Sequence, residues 1–413
     1  MLIIGRVLDD LSGVQWVTSD RRLLELDDIK DQLRFAPRPM DDFAGRWPGD
    51  QVMQYLTSAS TPSWLDVAVL YHRALADALE FPNPAHVALA LTWAMGTYVH
   101  RLFRSYPRLL VGGEFESGKS KLLELLAHLC WNAPAWGIPT TAPVFRTIHE
   151  WRPTLLLDEM EHLDRDDLPN LVGILNAGYK RTLRVPRVEG DKHRRTETYE
   201  VYSPVALAGI RGANLVTTSR CLPITLLRAA DPTKLDFEID DANPLYVEAR
   251  SLMHWVLLGR WQEVRAHYAE VELPDWLHGR PRELWKPLLV MADLIDRANP
   301  RAVAIPSLRP ALVGLAREHV ESRETVRPEI AALVEVLADK LTGASQLEVS
   351  AKDLIQPLQD ALGSPHPPTA QRIGTWLRQL GFARQRDRRA KYHVVDRLTL
   401  EAFARRYGLT ISS

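Results

Sequence analysis

A chain of 413 residues is too long for one hydrophobic core and implies two to four domains. Hydrophobic residues at 46% and charged residues at 25% are ordinary for a globular protein, and a formal net charge of -1 excludes a uniformly basic nucleic-acid binder, so any such surface must be a local patch. Cys130 and Cys221 are the only cysteines, which excludes a zinc ribbon or disulfide framework and fits a reducing cytoplasm.

Residues 1–48 are expected to form a small β-rich piece, with the apolar runs LIIGRVL, GVQWVT and RLLELD between polar turns. The opening run, broken by Arg6 and acids, does not read as a secretory signal. No apolar stretch is long enough to span a bilayer, so a soluble, cytoplasmic protein without membrane contact is expected. Pro37, Pro39 and Pro48 punctuate the loop that follows. From Trp64 the pattern becomes helical: Val87, Leu91, Ala94, Tyr98 and Leu102 recur at three and four, one face of a helix between Pro84 and Pro107. Leu109-Leu110-Val111 then suits a buried strand, and Lys121–Leu126 an amphipathic helix. TLLLDEME, PVALAGI and CLPITLL supply three more strands, and strands alternating with helices predict an α/β core with a parallel sheet over residues 60–230. Residues 231–345 read as helical, and residues 346–413 as a separate unit.

Between the first of these strands and its helix, Gly113 to Ser120 spells G-x-x-x-x-G-K-S, the phosphate-loop spacing in its proper strand–loop–helix context. Backbone N–H groups freed by Gly113 and Gly118 would cradle anionic oxygens at the helix N-terminus. Lys119 would reach the β- and γ-phosphates, and the Ser120 hydroxyl would ligate magnesium. Glu114 and Glu116 are unusual company for phosphate and are expected to point outward. The run Thr154 to Glu159 supplies the second half of such a site: Asp158 to hold magnesium, Glu159 to orient and deprotonate an attacking water. Alone, LLLDE is more often a strand entering an exposed turn; the glycine loop one helix and one strand earlier decides for the functional role. The pair favours hydrolysis over transfer to a second substrate.

Two basic features follow. Lys180, Arg181, Arg184, Arg187, Lys192, Arg194 and Arg195 face only Glu189 and Asp191, and the alternation of RTLRVPRV and TETYEVY predicts a basic-tipped β-hairpin. A charge run by itself is usually a solvated face. Near the C-terminus, AKDLIQPLQDAL reads as a helix, and PPTAQRIGTWLRQLG as another, with Ile373, Trp376, Leu377 and Leu380 at helical spacing and Gly381 at its end. Arg384, Arg386, Arg388, Arg389 and Lys391 then crowd a turn between two short strands. Helix, helix and basic β-turn is the order of a winged helix, with Arg372 and Arg378 on the outer face of its second helix. The alternative is a winged helix that docks protein only. No Cys or His grouping suits zinc.

With the loop at Gly113–Ser120, the Asp158-Glu159 pair and the hairpin after them, the chain resembles an AAA+ ATPase. The runs ILNAGYKRTLRV, SPVALAGI, SRCLPITLLR and RPRELWKPLL extend the resemblance, over roughly residues 85–300, to helicases of phages, plasmids and integrated mobile elements. These are similar to the minichromosome maintenance (MCM) helicases in their ATPase core. The resemblance implies an AAA+ P-loop NTPase core with a helical lid and a C-terminal winged helix, using ATP and Mg2+. It implies that Arg220, in the Ser219-Arg220 pair, is an arginine finger acting on a neighbouring subunit's nucleotide, as charge on the γ-phosphoryl oxygens requires. Arg282, with Arg280 as competitor, would be a nucleotide-binding arginine of the lid, whose helix opens at Pro281. Lys192, Arg194 and Arg195 would reach DNA phosphates from the hairpin in a central channel, and Arg386, Arg388 and Arg389 from the wing. A finger acting in trans implies a closed head-to-tail homo-oligomer, a hexameric ring.

One departure stands out. AAA+ enzymes usually carry a polar residue, often Asn, at the end of the strand matching PVALAGI; here Gly209-Ile210-Arg211-Gly212 follows and Asn214 comes late. Either Arg211 or Asn214 fills that place, or nothing does. The expected function is an ATP-hydrolysing motor on single-stranded DNA, the ring-forming replicative helicase of a mobile element, with any primase on another polypeptide. Two alternatives stay open: a DNA-stimulated loader, transposition or defence ATPase that does not unwind, and an ATP-gated DNA-binding scaffold. Strand displacement separates the first two, and Glu159→Gln should leave a scaffold indifferent.

Overall fold

In the computed structural model, residues 3–7, 14–25, 47–133, 141–158, 168–189, 195–209, 219–324, 328–342, 344–386 and 391–406 are described. The chain divides into two units, Met1–Arg317 and Glu318–Ser413.

The first unit opens with a small sheet. Strands β1 (Ile3–Val7), β2 (Val14–Thr18) and β3 (Leu23–Leu24) form an antiparallel sheet in that order. Helix α1 (Gly49–Thr57) fastens to it through the Tyr55 hydroxyl, which donates to the Thr18 carbonyl at 2.8 Å. Helix α2 (Trp64–Ala78) begins at a capping box, Ser63 with Asp66, which satisfies two otherwise orphaned N–H groups.

Helix α3 (Ala85–Thr97) departs from the single apolar face expected of it: every residue from Ala88 to Thr97 is buried. It packs against α2, against α4 (Lys119–Leu129) and against a later helix of the same unit, so no side is left for water. The Trp93 indole donates to the Pro107 carbonyl at 2.8 Å, and the Tyr106 hydroxyl to the Trp93 carbonyl at 2.6 Å, which fixes α3 to the start of the next strand.

That strand, β4 (Arg108–Gly113), leads into α4, then α5 (Thr141–Trp151), β5 (Leu155–Leu157), α6 (Leu168–Ala177), the hairpin β6 (Arg184–Glu189) and β7 (Arg195–Glu200), β8 (Val205–Ala208) and β9 (Cys221–Leu226). The four expected apolar strands pair in the order β5-β8-β4-β9, all parallel. The β4–β9 register runs from Arg108↔Cys221 to Gly113↔Leu226. The hairpin is rooted at its base: the Tyr199 ring meets Phe145 at 4.8 Å, and Glu200 binds Arg152 at 2.5 Å and Arg101 at 3.4 Å. Helices α7 (Pro232–Leu235), α8 (Pro244–Glu270), α9 (Gly279–Arg297) and α10 (Leu308–Glu324) follow, the last carrying the boundary between the units. It is α9 that completes the enclosure of α3.

The second unit contains α11 (Pro328–Lys340), β10 (Gln346–Val349), α12 (Ile355–Leu362), α13 (Ala370–Gln379), β11 (Arg384–Arg386), β12 (Lys391–Asp396) and α14 (Arg397–Arg406). Its sheet is antiparallel in the order β10-β12-β11. Ile373, Trp376, Leu377 and Leu380 enter its core with Leu333 and Leu337. Gly381, at φ +98°, takes the left-handed turn that closes α13. Among the described residues no helix is long and apolar enough to cross a membrane.

One buried histidine sets an acid limit on the first unit. The His100 Nδ1 lies 2.7 Å from the Thr97 carbonyl, while its Nε2 has no hydrogen-bond partner among the described residues. Burial holds its pKa at about 3, against 6.5 for the free side chain; the bond to Thr97 opposes this and Arg101 and Arg152 add to it. Between those two values the unfolded chain binds a proton that the folded chain refuses. Stability therefore falls as pH drops below 6.5, by up to about 1.4 kcal/mol per pH unit. His100→Phe is expected to flatten this slope in urea unfolding at pH 7 against pH 5.5; an unchanged slope would exonerate His100.

Candidate functional site

The loop after β4 has the backbone that its sequence requires. Gly113 sits at φ +151° and Gly118, the residue before α4, at φ +89°. A Cβ at Gly113 would overlap the Leu226 carbonyl and the Ser117 side chain, so only glycine fits there. Lys119 turns into the loop: its Nζ donates to the carbonyls of Glu114 at 2.6 Å and Gly113 at 3.1 Å, and approaches the Ser117 hydroxyl at 3.5 Å. Across from it, the Ser120 hydroxyl donates to Asp158 Oδ2 at 2.6 Å. The structure thus brings Gly113, Gly118, Lys119, Ser120 and Asp158 to one place, the C-terminal edge of the sheet.

A helix N-terminus, a glycine nest and a lysine suit an anionic group. Ser120 and Asp158 form a two-oxygen set, too few to cage a metal alone; among the described residues no group of three or more metal-ligating acids, histidines or cysteines occurs. Such a set fits Mg2+, which keeps several waters and takes further oxygens from phosphate. Glu159, Arg211 and Asn214 lie outside the described residues.

Arg220 and Arg282 are at the other end of the sheet. Arg220 immediately precedes β9, whose first residue pairs with Arg108, so the length of β4, roughly 17 Å, separates it from the loop. Its guanidinium donates to Asn176 Oδ1 at 3.1 Å and lies over the Tyr179 ring at 4.8 Å. The first turn of α9 is at this same end: Arg280 donates to the Ser219 hydroxyl at 2.7 Å, and Ser105 to the Glu283 carbonyl at 2.9 Å. Lys180 pairs with Glu283 at 2.8 Å. The exposed Arg282, one residue before Glu283, is therefore at the end of the sheet away from the glycine loop of its own chain.

Of the expected DNA contacts, Lys192, Arg194, Arg388 and Arg389 lie outside the described residues, and Arg195 opens β7 opposite Glu189. Arg386 is exposed at the end of β11, opposite Lys391. On α13, Arg372 lies over the Trp376 ring at 5.4 Å and 3.9 Å from Glu329, and Arg378 donates to the Thr375 hydroxyl.

Sequence reasoning missed two residues. Arg228 pairs with Glu116 of the loop at 3.5 Å; its signal was an arginine closing the apolar run CLPITLL. Arg108 is 1% exposed, and none of its guanidinium nitrogens has a hydrogen-bond partner among the described residues. A cavity of about 440 Å³ beside Trp64 and Arg260 is remote from this chemistry. In its lining, Glu263 accepts from both Arg260 and the Trp64 indole.

No protein-family model matches the chain, and no curated protein does. Among solved structures it is similar to an active helicase described as SCCmec type IV Cch, at 14% identity and TM-score 0.45, over 96% of this chain and 78% of that one. It is also similar to the apo C-terminal region of NrS-1, at 10% identity and TM-score 0.34, over 95% and 96% of the two chains. A third likeness is to JCV helicase, at 12% identity and TM-score 0.28, over 59% and 66%. At these values none of them transfers a residue's role to this chain.

Proposed function

We propose that the protein is an ATP-hydrolysing motor on DNA, a ring-forming replicative helicase of a mobile genetic element. The observation that carries this is the 2.6 Å bond from Ser120 to Asp158, which joins a glycine loop filled by Lys119 to the end of a strand two positions away in a parallel sheet. In this reading the loop amides and Lys119 hold the phosphates of ATP, and Ser120 and Asp158 hold Mg2+, which neutralises charge on the phosphates when bound. Glu159 orients and deprotonates the attacking water.

Residues 1–48 form an N-terminal module, 60–230 an AAA+ core, 231–345 a helical lid and 346–413 a winged helix in the same proposal, with α11, the last helix of the lid stretch, packed into the core of the second unit. Arg220 serves the nucleotide of the next subunit, and Arg282 joins it there rather than at its own loop, since both sit at the end of the sheet away from Lys119. That division of labour calls for a closed ring, most simply a hexamer. Lys192, Arg194 and Arg195 on the hairpin, and Arg386, Arg388 and Arg389 on the wing, would meet phosphates of single-stranded DNA, giving binding that weakens with salt. A primase would be a separate chain.

The test is steady-state ATP turnover with and without single-stranded DNA, for wild type and Lys119→Ala. DNA is expected to raise turnover several-fold in wild type and to do nothing for the variant. Turnover indifferent to DNA would replace the motor with a loading or remodelling ATPase; no turnover in wild type would favour a scaffold, or a site that a missing partner completes.

A further inference from the structure

The last residue of β9, Leu226, is level with Gly113, so Arg228 emerges beside the glycine loop. Its Nη2 lies 3.5 Å from Glu116 Oε2, with the two side chains 67% and 57% exposed. An ion pair so exposed adds little to stability, and its interest is its place. Glu116 occupies the left-handed region at φ +58° within the loop, which puts a carboxylate next to the nest where an anion would sit. A cation beside it offsets that repulsion and is itself within side-chain reach of the same anion.

The root of Arg228 is fixed. Glu80 accepts from the N–H groups of Ala230 at 2.8 Å and Asp231 at 3.2 Å. Lys234 donates to the Ala76 and Asp77 carbonyls, and Lys121 of α4 donates to the Lys234 carbonyl at 2.8 Å. The segment after β9 is thereby tied both to the end of α2 and to the helix that starts at the loop, leaving the guanidinium as the part free to swing.

Sheet order says which part of a nucleotide this cation would meet. Asp158 follows β5, two strands from β4 on one side, whereas β9 borders β4 on the other. The Ser120–Asp158 side is where magnesium and the terminal phosphate belong, so Arg228 faces the flank toward the nucleoside.

We propose that Arg228 is a second cationic phosphate ligand of this loop, taking the α- and β-phosphates of its own chain's nucleotide, and that Glu116 positions its guanidinium until the nucleotide arrives. This rests on the nucleotide reading above. Arg228 lies outside the glycine-loop pattern, and Glu116 fills one of its variable positions.

Calorimetric titration of the full chain with ATP and with ADP, each with Mg2+, tests it. Arg228→Ala is expected to weaken both ligands by the same factor, about tenfold, with Arg228→Lys intermediate because a point charge replaces a planar fork. The loss should persist when Glu116→Gln is already present. Recovery of wild-type affinity in the double variant would reduce Arg228 to a counter-ion of Glu116 and overturn the proposal. A loss confined to ATP would put Arg228 on the terminal phosphate and overturn it equally. If Lys119→Ala weakens binding and Arg228→Ala does not, this inference alone fails. If wild type and Lys119→Ala bind alike, the nucleotide reading fails with it.

Discussion

Arg220→Ala is expected to cut ATP turnover by roughly a thousandfold while leaving ATP affinity within a few-fold of wild type. The cation would act on charge that develops only in the transition state, so its loss falls on the rate rather than on binding. The geometry makes the effect separable by mixing. Arg220 lies about 17 Å along β4 from the glycine loop of its own chain, beyond the reach of one side chain. A chain carrying Lys119→Ala keeps Arg220 but cannot use nucleotide, and a chain carrying Arg220→Ala has the reverse defect. Each alone should be inactive. Mixed in equal amounts they should regain up to about a quarter of wild-type turnover, the share of interfaces that pair an intact loop with an intact finger. No recovery in any mixture, with both variants folded and assembled, would remove the trans role and with it the reason for a ring.

Arg108→Met is expected to stabilise the protein by about 1–4 kcal/mol at pH 7, read as a higher urea midpoint at unchanged m-value. Burial lowers the Arg108 pKa to about 10, well below the usual arginine range; Cys221 opposes this and Arg220 adds to it. The guanidinium is thus still charged at neutral pH, and its desolvation is uncompensated by any hydrogen bond among the described residues. The sign follows from linkage. Above pH 10 the unfolded chain holds a proton that the folded chain sheds, so the penalty fades only there and is constant below it. The gain from Met should therefore be the same at pH 6 and pH 9. Methionine supplies similar length and a flexible apolar chain, and a buried charge replaced by such a group commonly gives a more stable fold. A destabilised Arg108→Met would mean that the guanidinium has a partner worth more than its burial costs.

Several elements were legible in the sequence because their causes are local. The glycine loop needs φ values that only glycine adopts freely, and Gly113 and Gly118 have them at the predicted positions. The apolar runs around Leu110, Leu156, Val205 and Ile224 became four parallel strands; β5 and β8 are buried along their whole length, as continuous apolar character suits a strand covered on both faces. Ile373, Trp376 and Leu377 are buried at the spacing that marked them as one helix face.

The errors have a common origin in packing. Periodicity gave α3 one apolar face, but neighbours on every side buried its small residues, Ala88, Ala90, Ala94 and Gly96, as well. Gly96 is pinned by the Tyr106 hydroxyl, a contact across ten residues that no local pattern announces. Arg282, expected on the helix that opens near Pro281, owes its place to packing as well: the Ser105–Glu283 bond ties that helix to the end of β4 opposite the glycine loop.

By itself, then, the sequence determined the backbone of the glycine loop, the strand that leads to Asp158 and the helices α12 and α13 of the second unit, since φ preferences and apolar spacing act within a few residues. Only the tertiary structure decided which end of the sheet each arginine occupies. Arg220, Arg228 and Arg108 are alike as residue types, and what separates them is the pairing of β4 with β9, segments more than a hundred positions apart. That register is set by burial summed over the whole sheet. It puts one arginine beside the loop, one at the far edge and one in the core.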